Sequence, residues 1–315
     1  MFEDWNILVI GAGTMGHSIA QVFAVNGFAT TLADQSSEQL GRAREMIANN
    51  IASLIEMGEA TAADAQRAEK LITYDTSYEK AALQANLIVE TIIEDAGVKR
   101  ELYNALDKLC PPDCILTSNT SALNIFDIAQ VSNPQRLIIA HWFNPPHIMP
   151  LVEVVLGPST SVDTLEKVKA LLVQMGKKPA VIKQYVPGFI INRMSVAIVR
   201  EAGYMVGQGW TTPEDIDAAI VSTFGPRYPF EGPLELSDHI GWDVVQAVTA
   251  FLVPQLCSTA EGGNPIANDL VARGRLGIKS GKGLKDYSGE DMAQINKKRN
   301  SKIIKMLKAI KELDS

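Results

Sequence analysis

An α/β fold, with a mostly parallel sheet covered by helices and an all-helical region after it, is what this sequence predicts, and three observations lead there. Up to about residue 185 short apolar runs alternate with helical patterns, the arrangement that strands covered by helices require. A glycine cluster, Gly11-Ala-Gly13-Thr14-Met15-Gly16, sits where the first apolar run gives way to a helical pattern. Beyond Val186-Pro187-Gly188 nearly everything reads as helix, because proline and glycine punctuate the chain there. Two domains follow, 1–186 and 187–315, each within the usual size range.

The elements follow in order. Asn6–Ile10 reads as a buried first strand. After it, Gly11 permits the tight turn, Gly13 lets the backbone approach a pyrophosphate, and Gly16 lets helix and strand pack closely. The amino-terminal N–H groups of the helix, with Thr14 and Met15 in its approach, would face the phosphates. Thr30–Ala33 forms a second strand ending at Asp34, 21 residues past Gly13. A carboxylate there accepts hydrogen bonds from an adenosine ribose and repels a 2'-phosphate, which selects NAD over NADP. His17 reads as a solvated residue of the first helical turn. Ser36 to about Lys70 is amphipathic, one long helix or a helical pair. Later strands are expected over Leu87–Ile92, about the fourth, then Ile115–Ser118, Leu137–His141, Val152–Leu156 and Pro179–Ile182. In the helical domain, Gly225–Leu234 is too rich in Gly and Pro for a helix and reads as a loop. Residues 291–315, with seven basic and three acidic side chains, read as a solvated terminal helix.

Composition narrows the function. The chain has 315 residues and 46% apolar content, enough for sizeable cores. A net charge of -7 and a pI near 5.2 disfavour nucleic acid or an anionic membrane as partner, since both reward a basic face. A small molecule is the expected ligand. Cys110, Cys114 and Cys257 lack disulfide or metal-site spacing, so packing or partly exposed thiols in a reducing compartment and no metal site are expected. The acidic start, Met1-Phe-Glu-Asp-Trp5, lacks an export signal, and no run approaches the ~18 apolar residues of a membrane span. A soluble, cytoplasmic protein is expected.

The densest segment is Ile139-Ala-His141-Trp-Phe-Asn144-Pro-Pro-His147-Ile-Met-Pro150-Leu-Val-Glu153. Oxidising an alcohol with NAD needs a base for the hydroxyl proton, and an imidazole titrating near neutrality suits that task. Glu153, twelve residues after His141, would meet it if the two strands fold back across the proline turn. A carboxylate on the far ring nitrogen would fix the tautomer and stabilise an imidazolium. On the pair alone, a core histidine and a strand-edge glutamate remain an equal reading. His147 and His239, without such a partner in view, read as structural.

Six ordered motifs now carry a resemblance: Val9–Gly16, Ser118-Asn-Thr-Ser121, His141-x-x-Asn144-Pro, Leu151-Val-Glu153-Val, Pro187-Gly-Phe-x-x-Asn192-Arg and Lys279-Ser-Gly281-x-Gly283. Together they resemble the NAD-dependent 3-hydroxyacyl-CoA dehydrogenase family over nearly the whole chain. The resemblance implies a Rossmann-type domain followed by a helical domain, with His141 as base and Glu153 as its partner, Ser121 on the substrate hydroxyl, and Asn192 completing the site from the helical domain. It implies Asp34, Glu94, Lys99, Asn144 and Lys279 as NAD contacts, and a homodimer formed through the helical domain.

The departures concern substrate. Acyl-CoA members usually have Met-Lys directly before Leu-Val-Glu where this chain has Met149-Pro150, and a serine and lysine for CoA phosphates where it has Asn50 and Met57. From Ala48 to Met57 there is no Lys or Arg, the residues that meet polyphosphates. Arg227-Tyr-Pro-Phe-Glu-Gly-Pro is similar instead to the branch with L-gulonate 3-dehydrogenase (lambda-crystallin) and carnitine 3-dehydrogenase, which act on free hydroxy acids. Arg227 is thus a candidate for a substrate carboxylate, with a loop pairing to Glu231 or Glu235 equally open. The leading expectation is an L-3-hydroxy acid dehydrogenase. A 3-hydroxyacyl-CoA substrate, a pyridine-carboxylate alcohol or aldehyde, and an NAD-binding protein without catalysis are the rivals.

Overall fold

The computed structural model describes residues 2–257 and 265–313, and the chain divides into two compact units, Met1–Ile191 and Asn192–Ser315. In the first, β1 (Asn6–Ile10) leads through the glycine turn to α1 (Gly16–Val25), and β2 (Ala29–Ala33) leads to α2 (Ser37–Glu56) and α3 (Ala62–Leu71). There follow β3 (Ile72–Asp75), α4 (Glu79–Ala82), β4 (Leu87–Glu90), α5 (Ala96–Leu109), β5 (Ile115–Ser118) and α6 (Ile125–Ile128). The unit closes with β6 (Leu137–Trp142), β7 (Leu151–Val155), α7 (Val162–Gln174) and β8 (Lys178–Ile182).

These strands make one eight-stranded sheet in the order β3-β2-β1-β4-β5-β6-β7-β8, parallel except for the antiparallel β6–β7 pair. The order reverses between β1 and β4, so their carboxyl ends open the crevice where Rossmann-type sheets bind ligands. Because both faces are covered, strands read as unbroken apolar runs. Ile7 and Val9 pack with Ile19, Phe23, Ile47 and Leu171 on one face, while Leu8 and Ile10 pack with Leu102, Tyr103 and Leu106 on the other.

The Ser36–Lys70 stretch is a helical pair. Ser36 caps α2 by accepting from Gln39 N–H, Gly58 takes a left-handed φ of 70° after it, and Thr61 with Asp64 forms a capping box for α3. β3 escaped the sequence reading for a physical reason. It has four residues, only Ile72 is buried, and α3 runs straight into it without glycine or proline. β4 stops at Glu90, short of Ile92, because Ile92 N–H turns to the Glu90 carboxylate.

The second unit is helical: α8 (Ile191–Gly207), α9 (Pro213–Thr223), α10 (Pro233–Ile240), α11 (Trp242–Leu252), α12 (Pro265–Ala272) and α13 (Met292–Leu313). The segment expected to be a loop is one up to Gly232, but Pro233 and Leu234 already belong to α10, with Pro233 in the first-turn position it tolerates best. The terminal helix is present as α13; residues 314 and 315 lie outside those described. Helices α9, α10 and α11 bury no residue, α8 buries only Gly203 and α13 only Ile304. Among the described residues no helix is long and apolar enough to cross a membrane.

Candidate active site

At the end of β1 the glycines do three different jobs. Gly11 has φ +102°, and a Cβ there would lie 2.7 Å from the Thr91 carbonyl oxygen. A Cβ on Gly16 would stand 1.7 Å from the Gly11 carbonyl, so α1 can approach the turn only without a side chain. Around Gly13, by contrast, nothing lies within 4 Å of that point, which leaves open space where a pyrophosphate needs it. Thr14 and Met15 lead into α1, which has no capping side chain and no acidic residue in its first turn. Asp34, just past β2, accepts Ala12 N–H at 2.9 Å through Oδ2 and Ser36 N–H at 2.9 Å through Oδ1, which fastens the second strand to the turn. The cradle, the bare helix terminus and the carboxylate beside them fit a dinucleotide.

His17 is buried at 7% exposure, contrary to the solvated position expected. Its Nδ1–H donates to the Gly13 carbonyl at 2.8 Å, and Asn50 Nδ2 bridges its Nε2 (3.4 Å) and Gln21 Oε1 (3.1 Å). Burial lowers its pKa, against the opposing hydrogen bond to Gly13. The helical periodicity of α1 hid this, because α2 packs over a face that a single amphipathic helix would leave wet.

The antiparallel register sets His141 directly opposite Glu153. Residues so paired share a face of the sheet, and His141 Nδ1 lies 2.8 Å from Glu153 Oε2. Glu153 is fully buried and its Oε1 accepts the N–H groups of Ile190 (2.9 Å) and Ile191 (2.8 Å). Burial pushes this carboxyl up, but the His141 bond and the two N–H groups outweigh it and hold it below the ordinary value. A carboxylate can only accept, so Nδ1 carries hydrogen and Nε2 is the basic nitrogen. Phe143 and Phe189 flank the imidazole, with ring centroids 4.7 and 5.4 Å away.

A buried ionic cluster supports the neighbouring loop. Lys99 Nζ lies 2.6 Å from Glu90 Oε1 and 3.2 Å from Glu94 Oε2, with Lys99 and Glu90 both essentially inaccessible. Ser118 Oγ donates to Glu90 Oε2 at 2.6 Å. Glu94 Oε1 accepts Thr120 Oγ1 (2.6 Å) and the N–H groups of Ser121 (3.0 Å) and Ala122 (3.1 Å). Burial raises the Glu94 carboxyl, yet these donors and Lys99 bring it below its usual value. Glu94 and Lys99 therefore shape the loop that presents Ser121. Glu90 was missed in the sequence; the signal was a charge closing the apolar run Leu-Ile-Val.

Other predicted positions are placed as follows. Asn144 is exposed in the turn between β6 and β7. Asn192, the second residue of α8, Arg227 after α9, and Lys279 in the 3-10 turn Ile278–Ser280 are carried by the helical unit. Arg227 is exposed, and among the described residues no carboxylate pairs with it. Glu231 instead pairs with His239 at 2.9 Å, so His239 does have the acidic partner that was not foreseen. Cys110, Cys114 and Cys257 are all buried, none partly exposed. Among the described residues no group of His, Cys, Asp or Glu could hold a metal.

A Rossmann-type crevice with this glycine turn defines an NAD-binding protein. Together with the His141–Glu153 pair in the same unit, it fits the class of NAD-dependent dehydrogenases that act on CH–OH groups. The family descriptions "3-hydroxyacyl-CoA dehydrogenase, NAD binding domain" and "3-hydroxyacyl-CoA dehydrogenase, C-terminal domain" match residues 6–185 and 188–287. The chain belongs to the 3-hydroxyacyl-CoA dehydrogenase family. It is 37% identical to the probable 3-hydroxybutyryl-CoA dehydrogenase of Bacillus subtilis over 90% of this chain and 98% of that one. Among solved structures, a 5-formyl-3-hydroxy-2-methylpyridine 4-carboxylic acid 5-dehydrogenase described as an NAD+ dependent dismutase matches with TM-score 0.89. It is 30% identical and covers 98% of this chain and 99% of its own. The (S)-3-hydroxybutyryl-CoA dehydrogenase of Ralstonia eutropha matches with TM-score 0.74, 32% identity, and 90% and 99% coverage.

Proposed function

We propose that this chain oxidises the 3-hydroxyl of a small L-3-hydroxy acid bearing a free carboxylate. The observation that carries this reading is Arg227, which among the described residues pairs with neither Glu235 nor Glu231, the latter being taken by His239, and so is left for a ligand carboxylate. Asn50 supports it from the other side, since its amide is spent on His17 and Gln21 and no cation lies between Ala48 and Met57 to meet CoA phosphates. The likeness to an enzyme whose name specifies a pyridine carboxylate has the same sense, a compact acid in place of a CoA ester.

In this reading His141 Nε2 takes the hydroxyl proton while Glu153 holds Nδ1–H and stabilises the positive charge that forms. Bound NAD supplies the hydride acceptor. Gly11, Gly13, Thr14, Met15 and Gly16 cradle its pyrophosphate, Asp34 takes the adenosine ribose, Glu94, Asn144 and Lys279 are further contacts, and Lys99, buried against Glu90, serves the cofactor through Glu94. Ser121 and Asn192 hold the substrate hydroxyl. The domain boundary is placed at 186/187, just before the division of the compact units at Ile191, and the helical domain joins two copies as a homodimer in the cytoplasm.

The test is NADH formation across free hydroxy acids, 3-hydroxybutyryl-CoA and pyridine alcohols. Free acids should lead, and Arg227→Ala should raise KM at least about tenfold with a smaller fall in kcat. Preferred turnover of 3-hydroxybutyryl-CoA would move the assignment to the activity named for the Bacillus relative.

A further inference from the structure

Eight residues, Phe143 to Pro150, join the strand of His141 to the strand of Glu153, and they carry Asn144. Two groups distant in sequence tie this connection down. Lys177, after α7 and only 8% exposed, donates from Nζ to the carbonyls of Pro146 (2.6 Å) and Met149 (3.0 Å). Its ammonium also lies 5.5 Å from the Trp142 ring centroid, at the end of the His141 strand. From the opposite side Ser18, the third residue of α1 and fully buried, accepts the backbone N–H of His147 at 3.0 Å. Its Oγ also lies 2.7 Å from His147 Nδ1.

Ser18 Oγ accepts from the backbone and shares one hydrogen with Nδ1, carried by the hydroxyl or by the ring according to the tautomer. A neutral ring suits this buried position. Burial, with His17 and Lys177 nearby, lowers its pKa to about 4, in keeping with that state. Ser18 stands two residues after Gly16, and His17 beside it holds the Gly13 carbonyl. A continuous set of polar contacts thus runs from the glycine turn, through the first turn of α1, to the connection between the two strands of the dyad.

We propose that Ser18, His147 and Lys177 are positioning residues that hold the base-bearing hairpin in register with the dinucleotide-binding turn. This rests on the reading of His141 as the base; the link from α1 to the Asn144 turn also bears on cofactor binding alone. None of the three needs to touch substrate. A misplacement of about 1 Å costs on the order of a hundredfold in rate, so a rigid link here has a large lever.

The experiment compares Ser18→Ala, His147→Phe and His147→Asn in the full chain, the last retaining an acceptor near the place of Nδ1. Ser18→Ala and His147→Phe should weaken NADH binding, read by NADH fluorescence, by about tenfold and lower kcat by about ten- to a hundredfold. The deuterium isotope effect on kcat, with substrate labelled at the carbinol carbon, should rise as hydride transfer becomes limiting. His147→Asn should recover most of each loss. Unchanged NADH affinity in folded Ser18→Ala overturns the proposal, as does a kcat loss matched by lost folded protein with no change in isotope effect. Should His147→Phe not fold, Ser18→Ala against His147→Asn decides on the same readouts. If the wild type binds NADH yet oxidises no compound tested, the proposed activity fails, while the NADH measurement still judges the link.

Discussion

In the sheet unit β4, β5 and β6 are buried along their whole length, whereas α9, α10 and α11 of the helical unit bury no residue. Both units are rich in apolar side chains, but one has layers on two faces of a sheet and the other leaves Val196, Val221, Val244, Val248 and Phe251 exposed. An apolar surface of that extent marks an interface in a stable protein. The difference teaches that the sheet unit buries its apolar side chains within itself, while the helical unit carries them at its surface, which is why a second copy is proposed as its cover.

The largest effect that sharpens this contrast is chemical. His141→Gln should lower kcat by about a hundredfold to ten-thousandfold while the fold persists, measured by NADH formation and circular dichroism. Activity equal to wild type would remove His141 as the base. Next, Lys99→Met strands the Glu90 carboxylate inside the sheet unit. A buried charge without its partner costs about 3–5 kcal/mol, and urea unfolding should register it.

A pH effect is somewhat smaller. His147 has a folded pKa of about 4 against 6.5 for the free side chain. The unfolded chain therefore binds the extra proton first on acidification. Stability from this residue is complete above pH 6.5 and is lost as pH falls towards 4, about 3 kcal/mol in all. His17, also lowered, adds in the same sense. His147→Asn should flatten melting temperature against pH between those limits. The smallest effect lies in the helical unit. Val248→Glu on α11 should raise the dimer dissociation constant about ten- to a hundredfold, seen by sedimentation, with the sheet unit's near-ultraviolet dichroism kept. A monomeric wild type with those faces exposed would break the comparison.

Much of this was legible in the amino-acid order. Strand, turn and helix rules act over a few residues, so β1, the glycine turn and Asp34 could be read directly, and the spacing of His141 and Glu153 allowed an antiparallel return. β3 was not legible, being short, half-exposed and unpunctuated. Nor were the burial of His17, the Glu90–Lys99 pair or the Glu231–His239 pair, because each depends on what a neighbouring element brings up to it.

The sequence by itself determined the layered α/β fold, the dinucleotide turn and the identities of the paired histidine and glutamate, since period, glycine placement and local spacing are properties of order along the chain. Only the tertiary structure decided which polar groups are consumed by one another: Asn50 by His17, Ser18 by His147 across 129 residues, Glu231 by His239. Hydrogen bonds in a water-poor interior are matched in space, and a donor's partner there is whichever acceptor the packed layers place within about 3 Å.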